Sequence, residues 1–314
     1  MSSLTPHLPR LDGHLFLTDG GLETSLIFHH GLDLPCFAAF PLVLSEAGRL
    51  QLDHYFQPFL RTAARHRLGF VLDTPTWRAN ADWGARLGFS AHAMNEVNRE
   101  AVIWAQALRA EHAAPEANIL INGVLGPRGD GYKVEARMSA QQAQDYHRAQ
   151  ITSLTQAGAE LISAYTLNYS EEAIGIVRAA AELGIPLAIS FTVETDGKLA
   201  SGESLGEAIQ RTDQASAIPP LYFMINCAHP THFENVLDTE ADWLRRIGGL
   251  RANASAKSHA ELDASESLDD GDPLDLGRRY QTLRRRMPQL SVLGGCCGTD
   301  HRHVAAICEA CLAP

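Results

Sequence analysis

Residues 160–192 read ELISAYTLNYSEEAIGIVRAAAELGIPLAISFT and hold two short β-rich runs with an alanine-rich stretch between them. The runs 160–165 and 186–192 predict strands, and the apolar spacing of about 3.6 residues over 170–184 predicts a helix. A strand, a helix and a second strand in this order imply a right-handed crossover and a parallel sheet.

The same alternation continues in both directions along the chain. The other strands are predicted at 14–18, 69–73, 118–124, 221–226, 249–254 and 290–294, and the other helices near 45–67, 91–113, 139–157, 203–214, 231–246, 275–286 and 300–312. Eight such units in 314 residues favour a closed barrel over an open doubly wound sheet, and the first strand lacks a G-x-G-x-x-G fingerprint. We therefore predict an α/β protein, a single (β/α)8 TIM barrel that forms one domain over residues 1–314.

The composition bounds the class of protein. Apolar residues make up 45% and charged residues 20%, which is near the globular average. The formal charge of −11 gives no basic surface for nucleic acid or anionic lipid, so neither is an expected partner. The first ten residues, MSSLTPHLPR, lack the apolar stretch of a secretory signal, which predicts a cytoplasmic protein. In that reducing compartment, six cysteines are expected as free thiols with core, metal-binding or catalytic roles.

Three of these cysteines follow predicted strands. Cys227 ends the sixth strand in LYFMINCAHP, and Cys296 and Cys297 end the eighth in SVLGGCCGTDHRH. Alternate strands of such a barrel supply the same interior layer, so strands six and eight can direct side chains to one place at the C-terminal mouth. Adjacent residues of a strand face opposite ways, so both members of the pair converge only if the backbone leaves strand geometry. The glycines of GGCCGT permit that.

Three thiolates leave one tetrahedral position open, which is typical of a catalytic zinc site. Zn²⁺ lowers the pKa of a bound thiol, and three anionic ligands keep that sulfur rich in electrons. A methyl group on a sulfonium is a suitable electrophile, because its leaving group departs neutral. The pattern predicts methyl transfer to a small-molecule thiol.

Two other interpretations of the cysteines remain open. Cys227 alone could be a small buried apolar residue. Cys308 and Cys311 have C-x-x-C spacing and could complete a structural zinc site with the adjacent pair. We rank this second interpretation lower, because the apolar face of the final helix can accommodate both residues.

With GGCCGT, the INC strand end and LTDGGLETSL at the first strand in view, the chain resembles the homocysteine S-methyltransferase family. Further matching segments are INGVLGP near 121–127 and LGIPLAISFTVETDGKLASGESLGEAI at 183–209. The resemblance implies a (β/α)8 barrel, Zn²⁺ on the three cysteines, and methyl transfer from a sulfonium or betaine-type donor to homocysteine, yielding methionine. It places Asp19 and Asn226 near the substrate.

The sequence departs from the family pattern in two places. Tyr165 aligns with a position where the family usually has a glutamate that is expected to help hold the amino group of the substrate. The second strand ends in DTPTWRAN, with Asp73, where the family often has a Thr-Asn-Thr-Tyr-like segment. We predict catalytic roles for Asp19 and Tyr165. The predicted substrate-binding residues are Asp19, Thr24, Asp73, Tyr165 and Asn226, although Asp19, Thr24 and Asn226 could equally satisfy local backbone groups.

The connection 255–274, SAKSHAELDASESLDDGDPL, is long and acidic. As a loop after the seventh strand it lies on the C-terminal face, where active sites of this architecture occur. It is expected to be a solvated charged loop. The alternative is a lid that attracts a cationic methyl donor.

Two functions from other classes remain as alternatives to a methyltransferase. A glycine-rich turn after the eighth strand can bind phosphate, as in sugar-phosphate aldolases and isomerases of this fold. The chain could also be a non-catalytic zinc or thiol sensor. The methyl donor and the oligomeric state are not predicted.

Overall fold

The computed structural model describes residues 8–9, 13–112, 117–134, 136–265 and 267–313. Eight parallel strands close into a barrel in chain order, and the first strand pairs with the eighth through Phe16 and Val292. The strands are β1 (Phe16–Leu17), β2 (Gly69–Asp73), β3 (Ile119–Leu125), β4 (Leu161–Leu167), β5 (Leu187–Phe191), β6 (Tyr222–Asn226), β7 (Ile247–Ala252) and β8 (Val292–Gly295). The predicted (β/α)8 barrel is confirmed. Most of the N-terminal segment from which we predicted the absence of a signal lies outside the described residues.

Helices surround the barrel. They are α1 (Leu22–Phe28), α2 (Glu46–His66), α3 (Ala81–Arg86), α4 (Ala91–Glu111), α5 (Ala140–Ala157), α6 (Ser170–Leu183), α7 (Leu205–Asp213), α8 (Pro230–Phe233), α9 (His259–Asp263), α10 (Pro273–Arg286) and α11 (His301–Leu312). Side-chain caps begin many of them. Ser139 and Gln142 form a capping box at α5, and Gly158 ends that helix in the left-handed region at φ 103°.

One predicted helix is wrong. Residues 231–246 form the end of α8, then turns, then a 3₁₀ segment at Asp242–Arg246. The stretch 238–242 reads DTEAD, and aspartate and threonine favour turns through side-chain bonds to nearby backbone. The chain therefore enters β7 without a full crossover helix.

The barrel has two apolar layers. The larger one lies between the strands and the helices, and a smaller one fills the barrel interior, where Phe16, Leu120, Tyr222 and Met224 are fully buried. A barrel filled in this way has no pore, so a ligand can enter only at its ends. Among the described helices, none combines the length and the apolar character needed to cross a membrane.

Candidate metal centre and substrate pocket

The three cysteines that follow β6 and β8 come together at the C-terminal mouth. The Sγ atoms of Cys227, Cys296 and Cys297 all lie within 4.8 Å of one another. Cys227 is buried, and the adjacent pair is half-buried. The predicted convergence of strands six and eight is confirmed, and the arrangement suits a small ion that takes sulfur ligands.

The backbone leaves strand geometry after β8, as convergence of an adjacent pair requires. Gly298 has φ 79°, in the left-handed region, and forms the turn. Gly294 and Gly295 do not have positive φ, contrary to the role expected for them. Side chains there would collide with Thr18 and Thr299. These two glycines therefore allow close packing, and only Gly298 supplies conformational freedom.

The sulfurs of Cys227 and Cys296 lie close enough to pair as a disulfide, with their Cα atoms 5.4 Å apart, so the expectation of free thiols stays a prediction at these two positions. Cys297 stays a free thiol. The proximity that lets three sulfurs meet one ion also lets two of them bond. Where that bond forms, metal binding by all three cysteines requires its two-electron reduction.

Each sulfur has a hydrogen-bonding neighbour that fits a metal-bound thiolate. The pairs are Thr166 Oγ1 with Cys227 at 3.9 Å, Asn226 Nδ2 with Cys296 at 3.9 Å and Tyr132 Oη with Cys297 at 3.8 Å. Burial raises the pKa of Cys297 to about 11, so ionisation of this thiol needs a compensating cation. Three clustered sulfurs with one polar neighbour each are a donor set that fits a thiophilic metal.

His259, in the 255–274 connection, contacts the residues around the three cysteines. The ring of His259, on α9, stacks on Tyr132 with the centroids 4.0 Å apart. Its Nε2 lies 2.6 Å from the backbone oxygen of Cys227, and its Nδ1 lies 3.0 Å from Glu194. His259 thus links the 255–274 connection to two of the three cysteines.

We predict that Tyr132→Phe weakens the metal site while it keeps the ring stacked on His259. Loss of an outer-shell partner typically lowers metal affinity or activity by about 10-fold to 100-fold. Competition with a chromophoric chelator measures the zinc affinity of the reduced protein. Tyr146→Phe is the matched control, because the Tyr146 hydroxyl bonds to the backbone of Asp82 away from the cysteines. Equal zinc affinity in Tyr132→Phe and the wild type would contradict the assignment.

A cavity at the mouth gathers all eight site residues predicted from the sequence. It is lined by Asp19, Thr24, Asp73, Tyr165, Asn226, Cys227, Cys296 and Cys297, among others. Their proximity agrees with a common site. Contact of each with a substrate stays a prediction.

Arg251, which the sequence analysis missed, dominates the floor of this cavity. Its guanidinium lies 2.8 Å from Asp19 and 2.8 Å from Asp73, and all three side chains are buried. It also donates to Thr18 Oγ1 at 2.7 Å and to the Gly20 carbonyl at 3.2 Å. Both carboxylates that we expected to meet an ammonium group therefore already face a cation.

Tyr165 belongs to the same network. Its side chain lies in the barrel interior, and its hydroxyl is 3.4 Å from Asp73 Oδ1 and 3.3 Å from Asn122 Nδ2. Arg251 lies 4.9 Å from the centroid of its ring, within range of a cation–π contact. Tyr165 thus orders the aspartate and arginine side chains, besides the catalytic role predicted for it.

Burial raises the pKa of Asp73 to about 7, although Arg251 favours its charged form. An unfolded aspartate titrates near about pH 3.9. Between roughly pH 4 and 7 the folded protein therefore keeps a proton that the unfolded chain releases, and stability falls as pH rises through that window.

We predict that Asp73→Asn removes this pH dependence, because the amide cannot ionise. Its stability relative to the wild type should increase from pH 4 to 7, by at most about 1.4 kcal/mol per pH unit. Urea unfolding at a series of pH values measures this difference. Parallel stability curves for the two proteins would contradict the raised pKa.

The other two predicted substrate residues satisfy nearby groups. Thr24 Oγ1 donates to the Gly21 carbonyl at 3.1 Å and accepts from the Gly298 amide at 3.1 Å. Asn226 Oδ1 accepts from the Thr166 amide and from Ser190 Oγ. Both side chains position the walls of the cavity, which is the alternative that the sequence analysis left open.

The acids of the 255–274 connection are engaged locally. Asp269 accepts from Ser255 Oγ, and Asp270 pairs with Arg302 at 2.8 Å. Asp272 caps α10 by accepting from the Leu274 amide. These contacts favour the solvated loop over a lid that attracts cations, but the contribution of His259 was not expected.

Cys308 and Cys311 are buried in α11 and take no part in the cysteine cluster. Their placement agrees with the preferred interpretation, in which the apolar face of the final helix accommodates them. Within the described residues, the three-cysteine cluster is the group that meets the geometric requirement for a metal site.

The fold and the site define a (β/α)8 barrel with three cysteines gathered at its C-terminal mouth. The family model described as homocysteine S-methyltransferase matches residues 16–311. The chain belongs to the homocysteine S-methyltransferase family, and the predicted resemblance is confirmed.

Individual relatives agree with this membership. Homocysteine S-methyltransferase 4 of Zea mays is 26% identical over 95% of this chain and 90% of its own length. Homocysteine S-methyltransferase 1 of Arabidopsis thaliana is 26% identical over 54% of this chain and 52% of its own length. The homocysteine methyltransferase MmuM from Escherichia coli, in its oxidized form, superposes with a TM-score of 0.73 at 19% identity, covering 95% of this chain and 96% of that one. This structural likeness shows a shared fold.

Proposed function

We propose that the protein is a zinc-dependent S-methyltransferase that moves a methyl group from a sulfonium or betaine-type donor to the thiol of homocysteine, giving methionine. Cys227, Cys296 and Cys297 would hold the metal. The observation that carries this proposal is the meeting of three sulfurs within 4.8 Å in the cavity at the mouth. A metallated form of the related MmuM supports it.

Zinc bound there would supply a Lewis acid that lowers the pKa of the acceptor thiol. In the overall reaction, with a sulfonium donor, the thiol loses its proton and a new carbon–sulfur bond forms to the methyl group. The bond between methyl and sulfonium breaks, and its electron pair stays on the departing sulfur as a neutral thioether. No oxidant or reductant is consumed.

The chain's own residues would position the reactants. Thr166, Asn226 and Tyr132 fix the three ligand sulfurs through the contacts described above. Phe37 and Trp77 also line the cavity, and aromatic faces attract a cationic methyl donor. The aspartate and arginine network with Tyr165 shapes the floor.

The test uses reduced, zinc-loaded protein with homocysteine and isotopically labelled sulfonium or betaine donors. Mass spectrometry should detect the label in methionine, and removal of zinc by a chelator should abolish the product. Zinc binding without methyl transfer from any donor would favour the sensor instead.

The phosphate-binding alternative gains no support from the glycine-rich turn. The Gly298 amide donates to Thr24, and the Thr299 amide donates to the Cys296 carbonyl. Lys257 pairs with Asp269 at 3.5 Å and is absent from the cavity lining. Thermal stabilisation by phosphate without zinc would be the result that revives it.

A further inference from the structure

The acidic residues that line the cavity outnumber the basic ones, and one acid has no direct contact with the base. Within the described part of the chain, its lining includes three acids, Asp19, Glu23 and Asp73, and one base, Arg251. Arg251 contacts both aspartates at 2.8 Å, so Glu23 is the acid that it does not neutralise directly. A ligand with a positive group would find its partner there.

Three of the four carboxylate oxygens of the two aspartates accept hydrogen bonds, and the fourth lies at ion-pair distance from Arg251. Asp19 Oδ2 accepts from Tyr55, and Asp19 Oδ1 faces Arg251 at an ion-pair distance, although not at a hydrogen-bonding angle. Asp73 Oδ1 accepts from Asn122 at 2.6 Å, and its Oδ2 accepts from Arg251. An ammonium group would have to displace a buried guanidinium to reach either one, which is unfavourable.

Glu23 differs from both. It is the acid in the first turn of α1, and it is half-buried at the cavity. Among the described residues, its carboxylate accepts from its own backbone N–H and has no ion pair within 4 Å, while Arg78 and Arg251 act on it from a longer distance. Burial raises the pKa of Glu23 to about 7, and the charges of Arg78 and Arg251 offset this only in part.

Hydrogen bonds hold the segment around Glu23 against the turn after β8. The Gly21 amide donates to the Thr299 carbonyl at 2.9 Å, and the Gly298 amide donates to Thr24 at 3.1 Å. These bonds join both sides of Glu23 to the turn that carries the adjacent cysteines. Glu23 and Cys297 line the same cavity.

We propose that Glu23 is the carboxylate that binds the α-ammonium group of the acceptor, an amino-acid thiol held by its sulfur at the three cysteines. This inference rests on the proposed function. The inference places binding of the ammonium group at Glu23 on α1. The sequence analysis had expected this binding at Tyr165, Asp19 or Asp73. Glu23 would then be the residue that distinguishes homocysteine from a thiol of the same length without the amino group.

The experiment compares Glu23→Gln with the wild type, both reduced and zinc-loaded, on homocysteine and on its des-amino analogue, 4-sulfanylbutanoate. Loss of a hydrogen bond to a charged group should raise KM and the calorimetric Kd for homocysteine by about 10-fold to 100-fold. The values for 4-sulfanylbutanoate should change by less than about twofold, since that thiol has no ammonium group to lose. Glu23→Asp should recover part of the homocysteine affinity.

Glu46→Gln is the matched control, because it removes an exposed acid from the first turn of α2. It should leave both thiols unaffected. Equal zinc content in all variants verifies that the site is intact.

Equal weakening of both thiols by Glu23→Gln, or no weakening of either, would overturn the inference. So would a wild-type protein that binds the des-amino thiol as tightly as homocysteine. Selective loss of homocysteine binding without methyl transfer from any donor would support the inference and refute the proposed function. Failure of the zinc-loaded protein to bind either thiol would overturn both.

Discussion

Cys297→Ser should lose zinc binding and methyl transfer together. Its sulfur is one of three within 4.8 Å, and a neutral hydroxyl is a poor replacement for a thiolate ligand. We expect the loss of kcat/KM to exceed the roughly 10-fold to 100-fold effect of removing an outer-shell partner. Elemental analysis and labelled-methyl assays of the reduced protein measure the two effects.

Cys297 is the informative position, because the other two cysteines are close enough to form a disulfide bond with each other. A defect in Cys297→Ser cannot arise from loss of that bond. Cys36→Ser, at an exposed free thiol, is the control and should keep both zinc and activity. Undiminished zinc in Cys297→Ser, or loss only in Cys308→Ser or Cys311→Ser, would place the metal elsewhere.

Arg251→Met is expected to destabilise the protein strongly. It removes the cation that contacts Asp19 and Asp73 and leaves both carboxylates buried. Breaking a buried ion pair from one side costs about 3–5 kcal/mol. Urea denaturation of the reduced, metal-free protein should therefore show a large fall in the free energy of unfolding.

A second substitution tests the cause. In Arg251→Met/Asp73→Asn one of the two buried acids can no longer ionise, so part of the lost stability should return above the raised pKa of Asp73. Arg109→Met breaks a partly exposed pair with Glu160 and should have a much smaller effect. If Arg251→Met were as mild as Arg109→Met, the network would not be a stabilising feature of the barrel.

The barrel could be predicted because its signals are local. Each strand and helix has its own period, and strict alternation limits the topology to parallel arrangements. The convergence of Cys227 with Cys296 and Cys297 followed from the shared parity of strands six and eight. The helix predicted at 231–246 failed because turn-forming side chains overrode a weak helical period.

The charge network could not be predicted in the same way. Arg251 contacts Thr18 across 233 residues and Asp73 across 178 residues of sequence, through the closed barrel. A lone arginine within the apolar strand LRANAS was the available signal, since a buried charge needs a partner. Without the register of β1, β2 and β7, that partner could not be named.

Glu23 was visible in LTDGGLETSL but had no distinguishing pattern. An acid in the first turn of a helix is ordinarily explained by the helix dipole. Only the pairing of Asp19 and Asp73 with Arg251 separates it from the other acids of the cavity. His259 and Tyr132 were missed for a related reason, because their stacking joins two loops that are distant in sequence.

X-ray absorption at the zinc edge, before and after addition of homocysteine, tests the three-thiolate centre most directly. We predict three sulfur ligands at about 2.3 Å in the reduced, zinc-loaded protein, and four once the acceptor thiol binds. A shell dominated by nitrogen or oxygen, or a sulfur count that homocysteine leaves unchanged, would contradict the proposal that this barrel activates a thiol on a metal.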